Sequence, residues 1–402
     1  MKISVLARLM IVPGLIAGMA VLPLAGSAQD ATPVGNEAGG MGPPMPPGAE
    51  LVASGLDNPR GLAFGPDGAL YVAEAGGKGD GPCIDGPEGA PECYGMTSAI
   101  TVIRDGQASR LVEGIRSRAH EDGSNATGVH DIAFAPDGTM YAVVGLGNPP
   151  DNRTSVEKGG AAQLGRLFSV DPMTGEMTEV ADIAGYEATT NPDAGAPDSN
   201  PYSIDVRPDG NIVVADAGGN FVGLVTPDGQ VSTLATLASR PETGPDGSEI
   251  PMQPVPDSVA VSPDGTVMVG ELTGFPFPAG AAQVWQIGAD GKAALYGDGF
   301  TNIIDLDWTS DGTLGVLELF RGGMMSADPS NMASLEGRLV LIFPDGSRSD
   351  LASTGLMMPG GLAIGPDGYV YITVMSVAED MGSVIRLPMS ASDAAPMATP
   401  AE

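Results

Sequence analysis

The chain has 402 residues, 42% of them hydrophobic, with 59 Gly and 36 Pro. That is apolar material for one large domain or two ordinary ones, at a turn density that fits a helical fold poorly. Acidic side chains outnumber basic ones 50 to 18, a formal charge of −32, so nucleic acid is a poor partner and the surface serves either solubility or the attraction of cations.

The N-terminus carries Lys2 and Arg8, an apolar run from Leu9 to Leu24, and the small residues Ala25–Ala28. This order reads as a secretory signal over residues 1–28, cleaved after Ala28. The run is short for a bilayer and interrupted by Pro13 and Pro23, which argues against a permanent span. No cysteine follows it closely, which argues against a lipid anchor. No other segment could span a membrane. Residues 29–48 are a flexible Pro/Gly-rich tether. The expected location is periplasmic or extracellular. Two Asn-x-Thr sequons, at Asn125 and Asn152, matter only if the source glycosylates exported proteins.

The only cysteines, Cys83 and Cys93, share one Gly/Pro-rich loop. In an oxidising compartment two cysteines so placed are expected to pair.

From residue 49 to 388 the chain repeats itself. Arg60–Glu74, His130–Val144, Tyr202–Asp216, Asp257–Glu271, Ile304–Glu318 and Gly360–Val374 each hold an apolar strand, an Asp-Gly turn and a second apolar strand. Between them lie a second set of hairpins, Ala99–Val112, Gly165–Ile183, Phe221–Leu237, Gln283–Tyr296 and Arg338–Ala352. Each unit is therefore four antiparallel strands, A to D, and six units around an axis make an all-β, six-bladed propeller. The last unit runs out after its third strand, Ser383–Leu387, and Ala49–Gly55 supplies the missing fourth, so the N-terminal strand closes the ring. Residues 389–402 form a disordered tail.

Insertions fall in the B–C connections (75–98, 145–163, 272–282, 319–336) or the D–A connections (114–129, 184–201, 238–256). In a meander these share one face, so the binding surface is expected there. Around the channel mouth on that face the strand A starts place Asn58, Arg60, His130, Asp131, Asn200, Tyr202, Asp257, Asn302 and Asp305. Four B strands end there in an acid: Glu74, Asp216, Glu271 and Glu318. From these, the candidate ligand site is His130, Asp131, Asn200, Tyr202, Asp216, Glu271, Asn302, Asp305 and Glu318. The acids have a structural alternative, accepting hydrogen bonds from the following loops. Asp131 and Asp305 stand where other blades carry Gly or Ser, so a backbone donor or a cation must lie near each.

The segments Asp122–Phe134, Gly185–Ala188, Asp198–Tyr202, Ala215–Asn220, Leu272–Pro278 and Phe300–Asp305 together resemble the ScyD/ScyE family, exported NHL-like propellers. The resemblance runs from about Glu50 to Leu387 and implies an extracytoplasmic propeller without an established reaction. The favoured function is binding or assembly, by a monomer, of a small molecule or protein at the loop-rich face. The alternative resembles gluconolactonases and SMP-30 proteins, which hold a channel cation on carboxylate and amide oxygens. Asn200, Asp216, Glu271 and Asn302 would supply these here, to Ca2+ or another divalent cation. A quinone-dependent sugar dehydrogenase needs more His, Lys and Arg than the 2 and 18 present. A serine hydrolase lacks its Gly-x-Ser-x-Gly turn.

Overall fold

The structure is a computed structural model, and it describes residues 45–86, 89–153, 163–288 and 290–389. The signal segment, most of the tether and nearly all of the tail fall outside the described residues.

The Asp-Gly turns make the blades. In the first, Gly68 takes φ 76°, while Asp67 Oδ1 accepts the Ala69 N–H at 3.2 Å. The aspartate ties down the turn and the glycine supplies the left-handed backbone that L side chains avoid. Asp137 and Asp209 repeat the bond, to Thr139 at 2.9 Å and Asn211 at 3.0 Å. In five blades the turn delivers the chain into a second strand that is buried at every position: Leu70–Glu74, Met140–Val144, Ile212–Asp216, Val267–Glu271 and Leu314–Glu318. Strand B has a strand on either edge and a blade on either face, which is why it reads as a continuous apolar run.

Six antiparallel four-stranded meanders result. Their innermost strands A are Pro59–Phe64, Val129–Phe134, Pro201–Val206, Pro256–Val261, Ile303–Trp308 and Gly361–Ile364. In the sixth blade Glu50–Leu56 pairs with Gly382–Pro388, from Glu50 opposite Arg386 to Leu56 opposite Gly382. Closure is therefore by the N-terminal strand, as the repeat pattern requires.

The long connections gather on one face and are more ordered than the sequence suggested. Strands C and D of the first blade extend over Pro91–Arg104 and Gln107–His120, 14 residues each. They absorb parts of 75–98 and 114–129 that read as loop, because several bulges interrupt their register and blur the alternation. Elsewhere the face carries helix α1, Ile183–Thr190, and a hairpin of Arg240–Thr243 with Glu249–Met252. No helix among the described residues is long and apolar enough to cross a membrane.

At the outer end of the long hairpin, Cys83 lies directly opposite Cys93, and the two form a disulfide. Neither cysteine should take a thiol label in the purified native protein. Replacing both by Ser should leave the propeller folded, because the loop closed spans only 10 positions and its closure contributes about 2–3 kcal/mol. Mass spectrometry after alkylation and a denaturant melt check both statements.

Candidate functional site

Strand A opens with a bulge in five blades. Its pairing with strand B skips two positions between Pro59 and Leu62, and one between Val129 and Asp131, Pro201 and Ser203, Pro256 and Ser258, and Ile303 and Asp305. The residues released are Arg60, His130, Tyr202, Asp257 and Ile304; the sixth blade has Gly360 at the equivalent place. A bulge re-aims the side chain it frees. Here one cation, one imidazole, one phenol, one carboxylate and one aliphatic chain converge on the throat of the channel.

Four of the five are buried and Tyr202 partly so. Arg60 is 7% exposed, His130 2% and Asp257 2%. The His130 and Tyr202 rings lie 4.6 Å apart. His130 donates from Nδ1 to the Pro201 carbonyl at 3.3 Å, which leaves Nε2 as a lone pair. Burial, reinforced by the Arg60 charge, holds this imidazole down to about 3, so it is neutral. Gly145 makes room for it: a Cβ there would meet His130 Cε1 at 2.1 Å. Arg60 gives one bond, to the Ala126 carbonyl at 2.8 Å. Its Nε and Asp257 Oδ2 are buried without a hydrogen-bond partner. Burial pushes Asp257 well above the usual carboxylate range, with the Arg60 charge opposing. The two groups feel each other but form no ion pair among the described residues.

Below the throat, four aspartates stitch neighbouring blades. Asp131 accepts Ile132 N–H and, across the seam, Ile204 N–H, both at 2.8 Å. Asp305 does the same with Leu306 (2.8 Å) and Leu362 (2.7 Å). One turn of the strand further in, Asp205 bridges to Val261 at 2.6 Å and Asp307 to Ile364 at 2.7 Å. Of the two partners anticipated for Asp131 and Asp305, backbone donors are the ones present. Gly61 is the counterpart of Asp131, and a Cβ there would sit 2.0 Å from the Asp131 carboxylate. Burial raises Asp131 and Asp307 to about 7 and Asp205 to about 6. Asp305 goes well above its usual range by burial and by the nearby Asp131 charge. The four line a cavity of about 250 Å³ on the channel axis.

The acids that end the B strands point elsewhere. Glu271 takes both arms of Arg240 at 2.6 Å and the Trp285 indole N–H at 2.7 Å. Glu318 takes Arg338 at 2.7 and 2.9 Å and the Thr301 N–H at 3.0 Å. Asp216 accepts Ser199 Oγ, Asn200 N, Gly218 N and Gly219 N, all within 3.1 Å; burial still raises it to about 6. Asn302 bonds Leu272 O and Met324 N, both at 2.9 Å, and Asn200 Oδ1 takes Leu146 N at 3.2 Å. Each therefore anchors a loop, and the expected cation set of Asn200, Asp216, Glu271 and Asn302 is not a set of free oxygens. Among the described residues, the trio of His, Cys, Asp or Glu ligand atoms within 4.8 Å of one another is Cys83, Cys93 and Glu121, whose sulfurs are bonded to each other.

Of the nine candidates, the throat brings together His130 and Tyr202, with Asp131 and Asp305 below. Its other polar members, Arg60 and Asp257, lay at the channel mouth in the sequence but outside that set. Aligning the residue two before each apolar core of strand A would have found both.

No protein-family model matches this sequence, and no curated protein does. Solved structures match over most of the chain. A gluconolactonase from Xanthomonas campestris shares 12% identity over 85% of this chain and 89% of its own, with a TM-score of 0.50. A protein of unknown function from Bacteroides thetaiotaomicron shares 10% identity over 84% and 74%, at 0.52. A virginiamycin B lyase from Staphylococcus aureus shares 12% over 85% and 99%, at 0.47. At this identity the likeness is one of fold alone, a six-bladed propeller.

Proposed function

We propose that this chain is an exported binding propeller of the ScyD/ScyE kind that holds a small polar molecule in the throat of its channel. One observation carries the reading: a buried guanidinium and a buried carboxylate, Arg60 and Asp257, feel each other's charge, and Nε and Oδ2 are unpartnered. Unmet buried polar atoms cost free energy unless something bridges them. The bridging molecule must accept from Arg60 and donate to Asp257. A hydroxy acid or an amino-acid zwitterion does both, with its body against the Tyr202 and neutral His130 rings.

Calorimetry with gluconate, serine and glucose tests this. Gluconate or serine should bind and uncharged glucose should not. Arg60→Met should weaken that binding about 10-fold or more, the worth of a charged hydrogen bond. Failure of both acids to bind, or equal binding by the variant, would remove the throat as the site. The lactonase alternative rests on fold likeness, and the acids proposed for its cation are already bonded. Hydrolysis of glucono-1,5-lactone is expected to stay at the buffer rate with and without Ca2+.

A further inference from the structure

Helix α1 presents its inward face through Ile183, Ala184 and Glu187, all fully buried. The i, i+1, i+4 spacing of that face calls for an aliphatic residue at 187. The sequence places a carboxylate there, 0% exposed, and neither oxygen has a hydrogen-bond partner. Four residues on, at the helix end, Asn191 Oδ1 is buried and unpartnered as well, although its amide donates to the Gly195 carbonyl at 3.0 Å. Three buried oxygens at i and i+4 thus carry more lone pairs than donors, the Asp198 backbone N–H being the one that reaches toward Glu187.

The surroundings add negative charge. Asp216, Asp193 and Asp198 all act on Glu187. Asp216 is saturated by its four bonds. Asp193 is engaged by Gly195 N at 2.7 Å and Asn220 Nδ2 at 3.0 Å. The nearby cation, Arg118, acts on Asp198 and directs its two terminal nitrogens to Glu92 and the Gly147 carbonyl. Space beside the carboxylate is kept by Gly219, where a Cβ would stand 3.0 Å from Glu187 Oε2. Three segments singled out in the sequence, Gly185–Ala188, Asp198–Tyr202 and Ala215–Asn220, meet at this spot.

We propose that Glu187 anchors a divalent-cation site of the calcium type, with Asn191 Oδ1 as a second ligand and the loop backbone and water completing the shell. An occupant that supplies positive charge and asks for no acceptor suits a pocket made of oxygen lone pairs. Hard oxygen donors of mixed kind, at the junction of a helix end and two loops, suit Ca2+ better than a metal that demands strict geometry. The ion would pin α1 and the 191–198 loop to the third blade.

The full chain, stripped with a chelator, should be titrated with CaCl2 by calorimetry and native mass spectrometry. One ion should bind, and saturating Ca2+ should raise the melting temperature by about 3 °C or more, reversibly with EGTA. Glu187→Gln and Asn191→Ala should each weaken binding about 10-fold or more, since each removes a ligand; Arg60→Met should not change it. The proposal is overturned if the wild type takes up no Ca2+ at millimolar concentration, or if Glu187→Gln binds it as well as the wild type. Glu187→Leu gives a second readout in the absence of metal. Melting above the wild type, together with a wild type indifferent to Ca2+, would mark Glu187 as a protonated core residue and end the claim.

Discussion

Removing residues 49–55 should cost several kcal/mol of stability and make the protein aggregate. The strand lost pairs with Gly382–Pro388 along its length, and Glu50 holds Arg386 with bonds of 2.8 and 2.5 Å. That ion pair is surface-exposed and adds little. The large effect comes from the edge. Val384 and Ile385, 0% and 1% exposed, would lose their cover, and the backbone of a flat strand would stand open to pairing with another copy. Several ladder hydrogen bonds at about 1 kcal/mol each put the loss near 5 kcal/mol. A urea melt, followed by size-exclusion chromatography at two concentrations, measures both consequences. Parent-like melting of the truncated chain would mean that the ring is closed by other contacts.

Acid should stabilise this propeller across the range where many proteins are indifferent. Asp131, Asp205, Asp305 and Asp307 are all raised above their unfolded values, mainly by burial. A carboxyl raised in the fold binds its proton more tightly there than in the unfolded chain. Its contribution is complete below the unfolded value near 4 and is lost as pH climbs through 6 to 7. Each pKa unit is worth about 1.4 kcal/mol, and the backbone N–H bonds each carboxylate accepts hold the total to a few kcal/mol. The melting temperature should therefore rise by several degrees from pH 8 to pH 5. Below pH 4 it should fall, as turn aspartates such as Asp137, Asp264 and Asp311, held below their ordinary value by hydrogen bonds within their turns, become protonated. Relief of the −32 surface charge works in the same direction between pH 8 and 5, but 1 M NaCl screens it and leaves buried groups almost untouched. A rise that survives high salt and shrinks in Asp205→Asn with Asp307→Asn would locate the effect in the channel. A flat profile in high salt would refute it.

The fold was legible because its signals are local. Each Asp-Gly turn and its flanking apolar runs declare a hairpin within 15 residues, and a repeated hairpin declares the ring. The loop-rich face followed from counting insertions. The roles of the B-strand acids were not legible, because Glu271 and Glu318 owe them to Arg240 and Arg338, 31 and 20 positions away. Nothing in a linear pattern ties such pairs together. The throat was half legible: the residue types were visible at the strand starts, but not the bulges that turn Arg60 and Asp257 inward. Glu187 was hidden differently. On an eight-residue helix with one buried flank, an acid reads as solvent-facing until the packing shows otherwise.

The closing strand also sets the order in which the molecule can mature. Glu50 and Arg386 are 336 positions apart, and joining ends so distant costs roughly 5 kcal/mol in chain entropy before any contact repays it. A ribosome delivers Glu50–Leu56 early and its partner last. For most of the chain's synthesis the first strand has no mate, and blades fold beside it as an open arc. Ring closure is thus a late, non-local step, and slow by its topology. The vulnerable species is that arc, and a factor that shields residues 50–56 until Gly382–Pro388 emerges would raise the yield of folded protein without touching its final stability.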